Sequence, residues 1–175
     1  MKKFKLTSEF IVDISGVKLF RIKALIEFGN VKAGDLGGYI EKEENLSHMG
    51  DAWVSDDARI SGNAQVFGNA QVFGDAQVSG NARVSGNARV SGDAQVFGDA
   101  WVSGDKDYAY AHGFGSCNRT TTFFRLKDGD VGVRCGCFYG TLAQFRDKVC
   151  ETHGETKKAQ EYLMLADLME IRFKN

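Results

Sequence analysis

Residues 80–91 read GNARVSGNARVS, the same six-residue unit written twice. The unit continues on both sides with small changes, and an aliphatic residue recurs at every sixth position: Val54, Ile60, Val66, Val72, Val78, Val84, Val90, Val96 and Val102. An alanine stands two positions before each aliphatic residue, and a glycine followed by Asn or Asp stands two positions after most of them. A period of six fits neither the 3.6-residue turn of an α-helix nor an uninterrupted alternating strand.

The period does fit a short strand followed by a tight turn, repeated along the chain. Strand alternation points the alanine and the valine inward, on either side of an outward Gln, Arg or Trp. Glycine with its polar neighbour provides the backbone angles of the turn. Three such edges close a triangle, and the sequence predicts triangles stacked about 4.8 Å apart as a parallel β-helix. Known hexapeptide-repeat proteins, which these repeats resemble, wind left-handed with about 18 residues per coil.

Stacking every eighteenth residue predicts what the faces and corners of the β-helix display. The outward columns are Trp53, Gln71 and Arg89 on one face, Gln65, Arg83 and Trp101 on a second, and Arg59, Gln77 and Gln95 on the third. One corner stacks Asp57, Asp75 and Asp93, which indicates either a well-solvated corner or a bound cation. Phe67, Phe73 and Phe97 stand where serine occupies most other repeats, and exposed aromatic residues favour a subunit contact.

The patterns divide the chain into three parts and predict a mainly β protein. We expect an N-terminal β cap at residues 1–35, a left-handed β-helix at residues 36–115 and a C-terminal α+β module at residues 116–175. In the last part, strands at 119–127 and 131–138 flank a hairpin signal at 127–130. A capping box at Thr141 opens a helix, a second helix follows at 156–170, and residues 171–173 are typical of a closing strand. The prediction is a ββααβ module.

Composition excludes several classes of protein. The net charge of −1 gives no global basic field for extended nucleic acid, and no apolar run reaches the ~20 residues of a membrane span. The start, MKKFKLTSEF, has no apolar signal-peptide region, so we expect a cytoplasmic protein. All four cysteines follow the repeats, which favours reduced thiols. A C-x-C pattern at Cys135 and Cys137 places both sulfurs on one strand face, and we expect free thiols there rather than a zinc site.

Three further segments resemble one family. LGGYIEKEENLS at 36–47, RTTTFFRLKDG at 119–129 and VRCGCFYGTLAQFRDKV at 133–149, together with the repeats, resemble bacteriophage and prophage proteins described as hexapeptide-repeat or polymer-forming. The resemblance implies a left-handed, self-associating β-helical protein in the cytoplasm of a bacterial host. It implies no particular activity.

A local basic cluster is the candidate binding site. Strand alternation puts Arg119 and Arg125 on one face, and Arg134 could join them across the hairpin. Guanidinium groups beside threonine hydroxyls can grip a phosphate, and a tyrosine could stack on a base. The alternative is a solvated sheet face. The candidate ligand-binding residues are Arg119, Arg125, Arg134, Lys127, His112, Tyr108 and Tyr110.

Three functions remain open. The regular coils contain no His or Cys, so we expect no enzyme, no catalytic residue, no cofactor and no metal. The first function is a homo-oligomer, most simply a trimer, that counteracts host defence by sequestering an anionic nucleotide-like signal or by blocking a host defence protein. The second is a structural self-assembly protein. The third is a hexapeptide-repeat acyltransferase with His112 as the base.

Overall fold

The structure is a computed structural model and describes residues 1–174. In chain order the strands are β1 (Phe4–Val12), β2 (Lys18–Ala24), β3 (Leu36–Ile40), β4 (Trp53–Val54), β5 (Arg59–Ile60), β6 (Gln65–Val66), β7 (Gln71–Val72), β8 (Gln77–Val78), β9 (Arg83–Val84), β10 (Arg89–Val90), β11 (Gln95–Val96), β12 (Trp101–Val102), β13 (Tyr108–Ala111), β14 (Thr121–Arg125), β15 (Val131–Cys135) and β16 (Phe138–Thr141). Two helices follow, α1 (Leu142–His153) and α2 (Lys157–Phe173).

Strands β4 to β12 form the parallel β-helix that the repeats predict. Strands 18 residues apart pair in parallel, as in the register that aligns Trp53 with Gln71 and Gln71 with Arg89. The three faces are β4-β7-β10, β6-β9-β12 and β3-β5-β8-β11, so the predicted stacking of the columns is confirmed. Trp53 is not displayed on its face as expected: it is buried, with the Phe28 ring packed against it. The left-handed sense stays a prediction.

The interior of the β-helix is filled by the repeated alanines and aliphatic residues. All of them are at most 1% exposed, because each coil covers the apolar face of the next. The corners carry glycine at positive φ, for example +73° at Gly80, where a Cβ would lie 2.8 Å from the Gly98 nitrogen. Asp56, which interrupts the glycine series, itself adopts a φ of 55°. The period of six therefore follows from one tight corner per short strand.

The N-terminal segment covers the first coil. The β1–β2 hairpin continues one face by antiparallel pairing with β3, and β3 pairs in parallel with β5. On the other two faces, a side chain donates to backbone carbonyls of the first coil that a preceding strand would otherwise bind. The Lys3 ammonium donates to the carbonyls of Gly50 (3.2 Å) and Ala52 (2.7 Å), and the Asn45 amide donates to those of Gly62 and Ala64.

The C-terminal unit covers the last coil. Strands β13-β14-β15-β16 form an antiparallel sheet whose one surface meets the β-helix and whose other surface meets the two helices. Phe124 packs into the β-helix core, while its neighbour Phe123 packs among the helices. Thr122 accepts the backbone N–H of Gln95 at 2.8 Å, which satisfies a donor at the open end of the β-helix. Strand β13 belongs to this sheet although it continues directly from the repeats.

Two local predictions in this unit are wrong. The expected closing strand at 171–173 is helical. Met169 and Phe173 lie one turn apart on the buried face of α2, and the burial of both side chains favours continuation of the helix to Phe173. The C-x-C segment is not a continuous strand: β15 ends at Cys135 and residues 136–137 form a turn, because Gly136 has a φ of 57° and Cys135 pairs with Phe138. The predicted hairpin at 127–130 and the capping box at Thr141 are confirmed.

Candidate functional site

The predicted basic cluster is divided between two surfaces of the C-terminal sheet. Arg134 is in register with Thr122, whose hydroxyl contacts the β-helix, and the Arg134 guanidinium lies 4.8 Å from the centre of the Phe97 ring. Arg119 lies on the helix side of the sheet, beside Cys135 and Tyr162. The expectation that Arg134 joins Arg119 and Arg125 is therefore wrong. The reason is strand alternation, because Arg134 pairs with Thr122 and therefore leaves the sheet on the side opposite to Phe123 and Arg125.

Arg125 is occupied by protein groups. Its Nη2 donates to the Phe173 carbonyl at 3.2 Å, its Nη1 donates to the Gly129 carbonyl at 3.3 Å, and its Nε lies 3.4 Å from the Asp107 carboxylate. Burial raises the pKa of Asp107. Hydrogen bonds from Ser103 and the Gly104 N–H, together with the charge of Arg125, outweigh burial, so the pKa is lowered overall. Arg125 thus anchors the end of α2 to the β-helix.

The predicted aromatic and histidine residues are spread apart. The Tyr108 hydroxyl is directed at the β-helix and donates to the Arg89 carbonyl at 2.6 Å. Tyr110 packs its hydroxyl against Gly92, at a corner of the β-helix. The Nδ1 of His112 lies 2.9 Å from the Thr120 hydroxyl, and the imidazole is exposed. These three residues do not converge with Arg119, Arg125 or Lys127 on one cavity.

Lys127 faces a groove that also contains Phe67, one of the aromatic residues for which the sequence predicted a subunit contact. The groove has a volume of about 320 Å³ and lies on the β6-β9-β12 face, beneath the β14–β15 hairpin. We call it the Trp101 groove; its lining includes Phe67, Arg83, Trp101, Arg125 and Lys127. Trp101 is 42% exposed, with the Arg83 guanidinium 5.7 Å and the Lys127 ammonium 5.8 Å from its ring centre.

Backbone contacts fix the position of these side chains. Strand pairing places Trp101 directly above Arg83 in the stack. The hairpin is held over the same face by a bridge between Ala100 and Leu126 and by the Lys127 N–H, which donates to the Asp99 carbonyl at 3.1 Å. The cationic and aromatic groups are thus presented by a rigid support rather than by a free loop.

A second cavity of about 340 Å³ continues past Trp101. It shares Arg83, Trp101 and Lys127 with the groove and extends along the Asn63, Asn81 and Asp99 corner. Those three side chains form a hydrogen-bonded ladder, in which the Asn81 amide donates to the Asp99 carboxylate at 3.2 Å. Trp101 therefore stands between two connected depressions.

The charge in the groove is positive. Within residues 1–174, neither Arg83 nor Lys127 lies within 4.0 Å of a carboxylate, and the groove's Asp107 is already hydrogen-bonded to Ser103 and Gly104. The neighbouring β4-β7-β10 face does not carry this excess of positive charge. There Arg89 lies over the Phe73 ring at 5.6 Å, but the cavity around it also contains Asp51 and Asp56. Cation–aromatic pairs thus occur on both faces, and of these two cavities in the described chain the Trp101 groove is the one that combines such a pair with an excess of positive charge.

The stacked aspartates at residues 57, 75 and 93 form no metal-binding group. Up to Lys174, no set of three or more His, Cys, Asp or Glu side chains is arranged to hold a metal ion.

Sequence reasoning identified Lys127 but missed Arg83 and Trp101 as partners in a site. Their column was predicted, and Arg83 and Trp101 are adjacent in it, which is a usable signal for a cation–aromatic pair. The approach of Lys127 could not be predicted, because it depends on how a separate sheet docks on the β-helix.

Comparison with known proteins supports the repeat architecture. The family model described as YdcK Beta solenoid repeat matches residues 58–74, 64–80, 76–92 and 82–95. No curated protein matches the chain. In the described part of the chain, neither helix is long and apolar enough to cross a membrane. The repeats and their stacked parallel coils are those of a β-solenoid, and they are similar to the YdcK solenoid repeat.

Proposed function

We propose that this protein is a non-catalytic binding protein whose Trp101 groove holds an anionic, nucleotide-like small molecule. The observation that carries the proposal is the exposed Trp101 ring flanked by Arg83 and Lys127, two cations without a carboxylate partner in residues 1–174. An indole offers a stacking surface for a base, and guanidinium and ammonium groups bind phosphate.

The size and chemistry of the groove support such a ligand. A volume of about 320 Å³ lies at the small end of the range for ligand sites, and the connected cavity along the Asn ladder adds room for a second part of the ligand. Ser85 and Ser103 add hydroxyls to the lining. Because the strands beneath are fixed by the β-helix, little conformational entropy is lost when the ligand binds.

The biological setting that we propose rests on the resemblance to bacteriophage and prophage proteins. In that setting the protein acts in the cytoplasm of the bacterial host and sequesters a nucleotide-like signal that host defence requires. A rigid binder without turnover serves this purpose, since it removes the signal by mass action when it is present in excess.

Binding is tested with purified protein and a panel of cyclic and ADP-ribose-type nucleotides. Quenching of Trp101 fluorescence in a Trp53→Phe background and a rise in melting temperature are the two readouts. At least one nucleotide should bind, and Arg83→Gln and Lys127→Gln should each weaken it by roughly tenfold, the loss expected for one charge-assisted hydrogen bond.

Arg89→Gln is the matched control, because it removes the equivalent cation–aromatic pair from the adjacent face. It should leave the affinity unchanged. No response to any nucleotide in the panel, or equal losses in all three variants, would contradict the proposal.

A second candidate is self-assembly through the same face. Phe67 (37% exposed) and Trp101 both project from the β6-β9-β12 face, and exposed aromatic residues are typical of subunit contacts. Light scattering distinguishes the two. A trimer that Trp101→Glu converts to a monomer supports assembly, whereas a monomer that binds a nucleotide supports the small-molecule site.

A further inference from the structure

A separate cavity lies on the opposite surface of the C-terminal sheet, between the sheet and the two helices. It has a volume of about 170 Å³, and we call it the Arg119 pocket. Its lining includes Arg119, Cys135, Phe138, Phe145 and Tyr162. The Trp101 groove contacts the β-helix side of the same sheet, so the two cavities are independent.

The floor of the Arg119 pocket is apolar. The rings of Phe138 and Phe145 lie 5.6 Å apart, and Val149 on α1 completes the floor. Phe145 and Val149 are buried and Phe138 is partly exposed, so Phe138 offers most of the apolar surface that a ligand could cover.

One wall is a segment held in unusual backbone conformations. Gly115 has a φ of 70°, and a Cβ there would overlap the Tyr162 ring. Cys117 and Asn118 both adopt positive φ, at 62° and 47°, and such strain is retained where surrounding contacts impose it. The contact that holds this wall is the Ser116 N–H, which donates to the Tyr162 hydroxyl oxygen at 3.0 Å.

A thiol lies among hydroxyl groups on the inner side of the pocket. The Thr121 hydroxyl donates to the Cys135 sulfur at 3.2 Å, and the Tyr162 hydroxyl lies 3.8 Å from the same sulfur. Burial raises the pKa of Tyr162, so its hydroxyl is protonated at neutral pH. Cys135 is partly exposed and lines the cavity, which makes its reactivity a direct probe of whether the pocket is occupied.

The rim is cationic. Arg119 lies against the Gly136 turn, and in the described chain no carboxylate comes within 4.0 Å of its guanidinium. Lys148 also lines the rim, but its ammonium is paired with Glu151 at 2.9 Å. No Asp or Glu is among the lining residues. Arg119 is therefore the guanidinium that an anion would meet at the rim, and His153, whose ring lies 5.8 Å from the Tyr162 ring, also lines the pocket.

We propose that the Arg119 pocket binds a small organic anion, with a carboxylate or phosphate monoester against Arg119 and an apolar body on the Phe138–Phe145 floor. Its volume suits a body of one ring, since a cavity of about 150 Å³ accommodates benzene. Charge at the rim and an apolar floor together select such a ligand over a neutral ring or a bare inorganic ion.

The test uses the full-length chain with Cys135 as its single thiol. Cys117→Asn, Cys137→Ser and Cys150→Ser remove the three exposed thiols, and Asn suits position 117 because it tolerates positive φ. The alkylation rate of Cys135 by iodoacetamide is then measured alone and with benzoate, phenyl phosphate or benzyl alcohol.

We expect at least one of the two anions to slow alkylation several-fold at saturation, and benzyl alcohol to have no effect. The anion that protects more strongly identifies the head group. Arg119→Gln should abolish the protection. Arg134→Gln, which removes a guanidinium from the other face of the same sheet, should retain it.

Absence of protection by both anions, equal protection by benzyl alcohol, or full protection in Arg119→Gln would overturn the proposal. Circular dichroism melting confirms that each variant is folded. In the wild-type chain, the anion that protects more strongly should also shift the methyl resonances of Val149, and an unchanged spectrum with both anions would contradict binding. This test uses no nucleotide, so failure of anion binding in the Arg119 pocket would not count against nucleotide binding in the Trp101 groove. Failure of nucleotide binding would likewise not count against the Arg119 pocket.

Discussion

Lys3 shows how a single side chain completes the first coil. Its ammonium is 1% exposed and donates to the carbonyls of Gly50 and Ala52, at the face where no preceding strand exists. It also lies 4.6 Å from the centre of the Phe28 ring. A buried cation needs such partners, because an unpaired charge in an apolar environment is very costly. Lys3 and Asn45 thus each satisfy two backbone carbonyls at the start of one face of the β-helix.

The burial of Lys3 makes stability depend on pH. Burial lowers its pKa from 10.5 to about 8, and the Asp51 carboxylate offsets this only in part. Between these two values the folded chain has lost the proton while the unfolded chain keeps it, so the free energy of unfolding rises with pH. We expect a gain of about 2 kcal/mol between pH 8 and 10, relative to Lys3→Met.

Urea denaturation at several pH values measures this gain. Lys5→Met is the matched control, because Lys5 lies two residues further along, on β1, with an exposed side chain. If the difference in the free energy of unfolding between wild type and Lys3→Met stayed constant across this pH range, burial would not be lowering the pKa of Lys3. The sequence could not reveal this role, because the bonded atoms are 49 residues apart and meet only when the coil closes.

At the scale of the element, the corner glycines are the feature on which the repeat depends. Gly80 has a φ of +73° and faces the Gly98 backbone, whereas Gly104 is extended and a Cβ there would meet nothing within 4 Å. Gly80→Ala should destabilise the protein by roughly 1–3 kcal/mol, since it adds both backbone strain and a clash. Gly104→Ala should change stability by at most about 0.5 kcal/mol.

Thermal denaturation of the two variants provides the comparison. Equal effects would mean that the corners tolerate a side chain and that the six-residue period does not depend on them. The pair is well matched, because both glycines occupy the same place in the sequence repeat.

Elements differ in how far the sequence determines them. The β-helix was predictable to the register, because nine aliphatic residues in phase allow only one set of faces. Residues 171–173 were not, because the short segment Ile-Arg-Phe alternates like a strand, and only the position of Phe173 against the sheet keeps it helical. The Gly136 turn was missed because one glycine between two cysteines is equally compatible with a strand.

For the candidate site, the sequence predicted residue types better than their arrangement. Arginine and lysine were predicted as site residues on the C-terminal strands, whereas Trp101 and Arg83 were predicted only as outward residues of the β-helix. Their grouping depends on the docking of one sheet on another, which no local pattern encodes. Arg119 and Lys127, eight positions apart in the sequence, consequently lie in two different cavities.

At the scale of the whole molecule, two hydrophobic cores share strand β14. Phe124 belongs to the core that runs through the β-helix from Phe4, and Phe123 belongs to the core formed with α1 and α2. The two rings leave opposite faces of one strand and are both fully buried. Loss of packing in either core therefore disturbs the strand on which the other core depends, and we expect the molecule to unfold as one cooperative unit.

Two probes at opposite ends of the molecule test this expectation. Trp53, buried near the first coil, reports on the β-helix in a Trp101→Phe background, and the helical circular dichroism signal reports on α1 and α2. Phe123→Leu and Phe124→Leu should each cost about 1 kcal/mol and lower both transitions together by roughly 2–4 °C. If Phe124→Leu shifted only the Trp53 transition and Phe123→Leu only the helical one, the two cores would be independent and β14 would not couple them.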